Sequence, residues 1–191
     1  EENKVDIVKN IFPSVKSLVQ DDDEACRLPA LRTLSKLCEN EDLHEMIIAH
    51  GVDYLVYLLE MAGGGNDSTV HRISVEVGRE VARCLVNLSG SETTHTMLLA
   101  GNVPQGLARL CRHDDGTTQM YSALGLMNMS MNKLCHEYMN DFVLERLNEL
   151  CSGNVTSEKV ESRRYAALAI GGLCTNIDCH SHLLNHNVVS S

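Results

Sequence analysis

Residues 82–110 read Ala82-Arg-Cys-Leu-Val-Asn-Leu-Ser89, then Gly-Ser-Glu-Thr-Thr, then His95-Thr-Met-Leu-Leu-Ala-Gly101-Asn-Val-Pro104 and Gln-Gly-Leu-Ala-Arg-Leu110. Val81, Cys84, Leu85 and Leu88 recur with helical period. The same stretch returns elsewhere. Leu31-Arg-Thr-Leu-Ser-Lys-Leu-Cys38, Ala123-Leu-Gly-Leu-Met-Asn-Met-Ser130 and Ala167-Leu-Ala-Ile-Gly-Gly-Leu-Cys174 share one pattern of small or apolar, aliphatic, aliphatic or Met, then Ser or Cys. Six residues after each final position stands a histidine, at His44, His95, His136 and His180. Four histidines at one offset fix the alignment of the copies.

A short apolar helix is expected after each histidine, as in Glu45–Ala49 and Thr96–Ala100. A break and a third helix follow, at Phe12–Val19, Val52–Leu59, Val103–Leu110 and Val143–Leu150. Pro13 and Pro104 stand near the start of that helix, where a missing N–H costs nothing. The third-helix starts at 12, 52, 103, 143 and 188 make a unit near 40 residues. Insertions containing Gly63–Ser68 and Ser152–Ser157 lengthen two copies, and in a solenoid such insertions fall in loops. Before the first copy, a short helix is expected over about Asn3–Asn10.

Composition narrows the function. The 191 residues carry 16 Lys and Arg against 26 Asp and Glu, a net charge of -10. An acidic chain without a basic tail is a poor binder of phosphate backbones, so nucleic acid is not an expected partner. No run approaches the apolar length of a membrane span. Aromatics are 4% with no Trp, so the core is expected to be Leu, Val, Ile, Met, Ala and Cys. Eight loosely spaced cysteines inside apolar helical patterns read as free thiols of a cytoplasmic or nuclear protein.

The three-helix unit resembles the armadillo repeat. The phrases Cys84-Leu-Val-Asn-Leu-Ser89 and His95-Thr-Met-Leu-Leu-Ala-Gly101-Asn-Val-Pro104 carry the resemblance. It implies an all-α, right-handed superhelical solenoid of about four armadillo-type repeats. Its single domain spans 1–191, with units at about 3–38, 42–89, 92–130 and 133–174 and a partial unit at 177–191. The chain starts inside one unit and stops where a further third helix is due, which reads as a segment of a longer protein. The copies depart from the family at His50-Gly51 and His186, where the second helix ends. The tryptophan of some members is replaced by Arg32, Arg83, Leu124 and Leu168. That replacement argues against sandwiching of basic nuclear-localisation peptides.

Catalysis finds no support. Ala62-Gly63-Gly64-Gly65 lacks the Lys-Ser/Thr of a phosphate loop, and no Gly-x-Ser-x-Gly elbow occurs. Cys174, Cys179, His180, His182 and His186 are metal-ligating types, but the repeat accounts for their spacing, so no metal or cofactor is expected. The four aligned histidines read as structural, capping the short helix or bonding a loop carbonyl. Asp21–Glu24 and Asp114-Asp115 open helices as caps. Met120, Met127, Met129, Met131 and Met139 read as core filling.

The resemblance implies that the longest helix of each unit lines a concave groove. Carried onto this chain, the groove ladder is Leu28, Arg32, Lys36, then Arg79, Arg83, Asn87, then Met120, Leu124, Asn128, then Arg164, Leu168, Gly172. Five of these twelve positions are basic and none is acidic. The expected function is a non-catalytic scaffold binding an extended, acidic or mixed acidic and apolar peptide. Asn87 and Asn128 would bond its backbone. Arg32, Lys36, Arg79 and Arg83, with Arg164 further along, would meet acidic side chains, and Met120 and Leu124 an apolar one. Reversal of Arg79 and Arg83 to Glu is expected to abolish peptide binding with helicity intact. The alternative is a tile of a large multiprotein assembly, held by lateral contacts without a groove peptide.

Overall fold

Leu34, Leu85 and Leu126 hold the same place in three copies of the repeat, and all are fully buried in the computed structural model of the chain. Leu88 and Met129, three residues further on, are buried as completely, and Leu173 follows in the last copy. Structure is described for residues 2–50, 56, 59, 74–153 and 159–185. Among these there is no strand. The helices are α1 Glu2–Val19, α2 Glu24–Leu37, α3 His44–Ala49, α4 Val75–Ser89 and α5 Glu92–Ala100. They continue as α6 Val103–Leu110, α7 Gly116–Ser130, α8 Asp141–Ser152, α9 Val160–Cys174 and α10 His180–Asn185. Single 3-10 segments lie at Glu41–Leu43, Lys133–Tyr138 and Ile177–Cys179.

The long helices α2, α4, α7 and α9 pack in a row, each against the next. Helices α1, α6 and α8 back them, α1 on α2, α6 on α7 and α8 on α9. Capping sets where several elements begin. Asp23 accepts from the Ala25 N–H at 2.9 Å, Asp115 from Thr118 at 2.8 Å and Asn140 from Val143 at 3.2 Å. Arg27 and Gln119, at equivalent places in α2 and α7, each pin the preceding loop by donating to a carbonyl six residues back, Asp21 O and His113 O.

The aligned histidines close each unit in one way. Nε2 of His44, His95, His136 and His180 lies 2.7–2.8 Å from the carbonyl oxygen of Cys38, Ser89, Ser130 and Cys174, at the end of each long helix. A carbonyl only accepts, so Nε2 carries the proton and Nδ1 is left as an acceptor. Asn132 Nδ2 donates to Nδ1 of His95, and Asn176 Nδ2 to Nδ1 of His136, each at 3.0 Å. These asparagines stand four residues before the next histidine, so each bond joins one unit to its neighbour. Their Oδ1 atoms accept from the N–H two residues on, Leu134 and Asp178, which fixes the amide orientation. The histidine cap was legible in the sequence; the asparagine half of the ladder was not read from it, although Asn40, Asn132 and Asn176 share one offset.

Three expectations change. No break precedes Phe12–Val19: α1 is continuous and holds Pro13 inside it. The break before α6 uses Gly101 followed by Asn102 at φ 55, and the sequence before Phe12 has no Gly to end a helix. Met131 is 58% exposed rather than core, because it lies just past the end of α7. The second helix of the third copy is not an α-helix but the 3-10 segment Lys133–Tyr138. The loop Gly63–Ser68, the residues 154–158, the segment from His186 onward and most of Val52–Leu59 lie outside the described residues.

Two adjacent glycines of α9 test the seam between α7 and α9. A Cβ on Gly172 would stand 2.9 Å from the Ser130 backbone oxygen, whereas a Cβ on Gly171 meets nothing within 4 Å. Gly172→Ala should therefore destabilise by about 1–3 kcal/mol through overpacking. Gly171→Ala should stabilise by up to about 1 kcal/mol through helix propensity. Urea denaturation of both variants checks this; equal effects would contradict the close approach.

Candidate peptide-binding groove

The row of long helices brings the ladder positions onto neighbouring elements, but the charges there are paired. Arg79 forms a bidentate pair with Asp115, at 2.7 Å and 3.2 Å, bridging α4 to the cap of α7. Arg83 lies 3.3 Å from Glu80 and donates to the Ser35 hydroxyl on α2. Arg32 lies 3.9 Å from the same Glu80, whose side chain is only 12% exposed. Lys36 pairs with Glu39, just past the end of α2, at 2.8 Å, and Arg164 with Glu161 along α9 at 3.3 Å. Glu80 and Asp115 are off the ladder by position and reach it through the register between helices. The unpaired positive charge is therefore smaller than the ladder suggests.

Exposure separates the cations. Lys36, Arg164 and Arg32 keep 67%, 64% and 57% of their side chains in solvent. Arg79 and Arg83 keep 39% and 27% and serve as struts between helices. Asn87 Nδ2 donates to Ser35 O at 3.2 Å, and Asn128 Nδ2 to Ser89 Oγ at 3.2 Å, so both amides stitch neighbouring helices. Met120 and Leu124 are half-buried on α7, and Leu168 on α9 is exposed. Gly172 occupies the asparagine position of the last copy and lies against Ser130 instead.

The Asp115 carboxyl is the most perturbed acid of this region. Burial works to raise it, but the bonds from Arg79 and Thr118 outweigh burial and hold it at about 2, down from 3.8. A folded value below the unfolded one gives stability that is present above pH 3.8 and lost as pH falls through about 2. Asp115→Asn should thus cost about 1–2 kcal/mol at pH 7, the exposed side of Arg79 being screened by water. The gap between the variant and the parent in urea midpoints should close towards pH 2; a gap independent of pH would contradict the ion pair.

This geometry also revises an expectation. Arg79→Glu would set two carboxylates against each other at the α7 cap, so a reversal of Arg79 and Arg83 destabilises the fold and does not isolate binding.

Comparison of the sequence with protein-family profiles and with curated proteins finds no match. Solved structures do resemble it. A designed armadillo repeat protein in complex with the peptide (KR)4 superposes with a TM-score of 0.76 at 20% identity, covering 93% of this chain and 71% of that one. A second designed armadillo repeat protein gives 0.75 at 19% identity, covering 92% and 70%. An engineered protein from a structural-genomics consortium gives 0.74 at 23% identity, covering 91% and 68%. Among the described residues no helix is long and apolar enough to cross a membrane. With the stacked helices, the histidine-capped units and these superpositions together, the chain has the armadillo-type repeat fold.

Proposed function

We propose that the chain is a non-catalytic protein-interaction scaffold that takes an extended acidic segment along the row of α2, α4, α7 and α9. The observation that carries this reading is the exposure of Arg32, Lys36 and Arg164 on that row. Lys36 and Arg164 have exposed acidic neighbours, and exposed pairs are worth about 0–1 kcal/mol, so a ligand carboxylate can exchange for Glu39 or Glu161 at little cost. Arg32 lies at the longer distance of 3.9 Å from Glu80, which keeps Arg83 at 3.3 Å. Met120, Leu124 and Leu168 would take apolar side chains, and Asn87 and Asn128 would offer the peptide backbone the groups not used on the next helix. Arg79 and Arg83 would hold the helices at the right spacing and meet the ligand second. A designed protein of similar fold is described in complex with a peptide, which supports a peptide-bearing groove in general. The free cysteines suit the reducing cytoplasm or nucleus.

The test is fluorescence anisotropy with a labelled peptide alternating Glu and Leu. Arg32→Gln with Lys36→Gln, which removes both charges without setting a new carboxylate against Glu80 or Glu39, should weaken binding at least about tenfold while the far-ultraviolet circular dichroism stays unchanged. Binding at the parent affinity would remove the groove reading. The second reading, a tile held by lateral contacts, is favoured by exposed apolar side chains outside the ladder, such as Leu134 at 70% and Ile177 at 77%.

A further inference from the structure

The third copy of the repeat departs from the first two at the segment after its histidine. Four residues after His44 and His95 stand Ile48 and Leu99, both buried, in α3 and α5. Four residues after His136 stands Asn140, which leaves the core to cap α8. The chain from Lys133 to Tyr138 is a 3-10 helix, and no α-helix forms before α8 begins. What an apolar side chain and a helical turn fill in the earlier copies is open here among the described residues. A cleft of about 720 Å³ results, between the Lys133–Tyr138 segment, the start of α8 and the Ile177–Asn185 region. The corresponding space between α3 and α5 is about 260 Å³.

Its floor is apolar, made by Met139, Phe142, Leu144 and Leu173. Its rim carries Glu137, Asp141 and Asp178 against the single cation Lys133, a balance of -2. His182 contacts Asp141 at 3.1 Å. Leu134 lines the mouth and is 70% exposed, and Ile177, beside Asp178, is 77% exposed. None of the twelve ladder positions lines this cleft.

We propose that this cleft is a second interaction site, which binds a peptide segment carrying arginine or lysine side chains interleaved with apolar ones. A basic side chain has an aliphatic stem that covers an apolar floor and a charged head that reaches a carboxylate rim. A wholly apolar ligand would strip water from the rim carboxylates without replacing it. A phosphate or acidic ligand would be repelled by the same rim. The volume lies in the usual range of about 300–1,000 Å³ for ligand sites and holds several side chains rather than one ion. The site thus has the opposite charge preference to the groove.

The experiment uses the whole chain and two fluorescein-labelled hexapeptides, Leu-Arg-Leu-Arg-Leu-Arg and Leu-Glu-Leu-Glu-Leu-Glu, read by anisotropy. The arginine peptide should bind, and Glu137→Lys with Asp178→Lys should weaken it at least about tenfold. Leu134→Lys, at a position 70% exposed, removes an apolar contact and adds a charge like the ligand's, so it should weaken binding as well, which keeps the test valid if the double variant melts early. Arg32→Gln with Lys36→Gln should leave it unchanged. The proposal is overturned if the double variant binds like the parent. It is equally overturned if the glutamate peptide competes for the cleft, or if sedimentation shows a dimer lost in the double variant, which would make a second copy the occupant.

Discussion

Leu88→Ala should lower the unfolding free energy by about 2–5 kcal/mol, the range for truncating a buried leucine. Leu88 has no solvent exposure, and its column continues through Met129 and Leu173 in the next two copies. Val81 and Leu85 on the same helix are buried as completely, and α4 is packed against both α2 and α7. The cavity therefore stays open and the upper part of the range applies. Because each repeat contacts only its neighbours, the loss should fall on the α2–α4–α7 region, with faster hydrogen exchange there than at α8 and α9. A loss below about 0.5 kcal/mol would mean that the residue is on the surface and the repeat alignment is wrong.

The fold was legible because a solenoid repeats its instructions. Leu85, Leu88 and His95 have counterparts at fixed offsets, and four independent copies of one pattern outweigh the ambiguity of any single helix. Val103–Leu110 falls where the Gly101-Asn102-Val-Pro104 phrase sets it. The candidate groove was legible only by position. Lys36–Glu39, Arg83–Glu80 and Arg164–Glu161 are three residues apart and lay in the sequence unread, but the other two pairs depend on the register of one helix against the next, which no sequence offset contains. Arg79 meets Asp115 and Arg32 meets Glu80 across helix boundaries, so a basic stripe on paper is largely a set of ion pairs in space. The cleft after His136 was hidden for another reason. The third copy is one residue shorter between Ser130 and Val143 than the second is between Ser89 and Val103, yet this small change replaces an α-helical turn with a 3-10 one.

His95→Ala should cost about 3–5 kcal/mol, more than its volume alone explains. The ring sits 2% exposed between two units. Its Nε2–H satisfies Ser89 O, and its Nδ1 accepts from Asn132. Cys135 Sγ is also 3.5 Å from Nδ1. Truncation leaves at least one acceptor and one donor without partners in a region closed to water, at about 1–3 kcal/mol each, and opens a void in addition. His44 provides the internal comparison. Its Nε2–H is bonded to Cys38 O at 2.7 Å, but its buried Nδ1 has no partner among the described residues. The residue that should reach it stands four before His95, and there the chain has Ser91 in place of the asparagine found at 132 and 176. Ser91 Oγ lies instead 2.9 Å from Thr93 Oγ1 at the surface. Ser91→Asn should complete the ladder, with Nδ2 donating to His44 Nδ1 and Oδ1 accepting from the Thr93 N–H as its counterparts do. The expected gain is about 1 kcal/mol in urea denaturation. The gain should vanish in a His44→Ala background, since without the imidazole the new amide has nothing to bond. A gain that survives His44→Ala would come from capping α5 alone and would remove the histidine–asparagine ladder as the link between units.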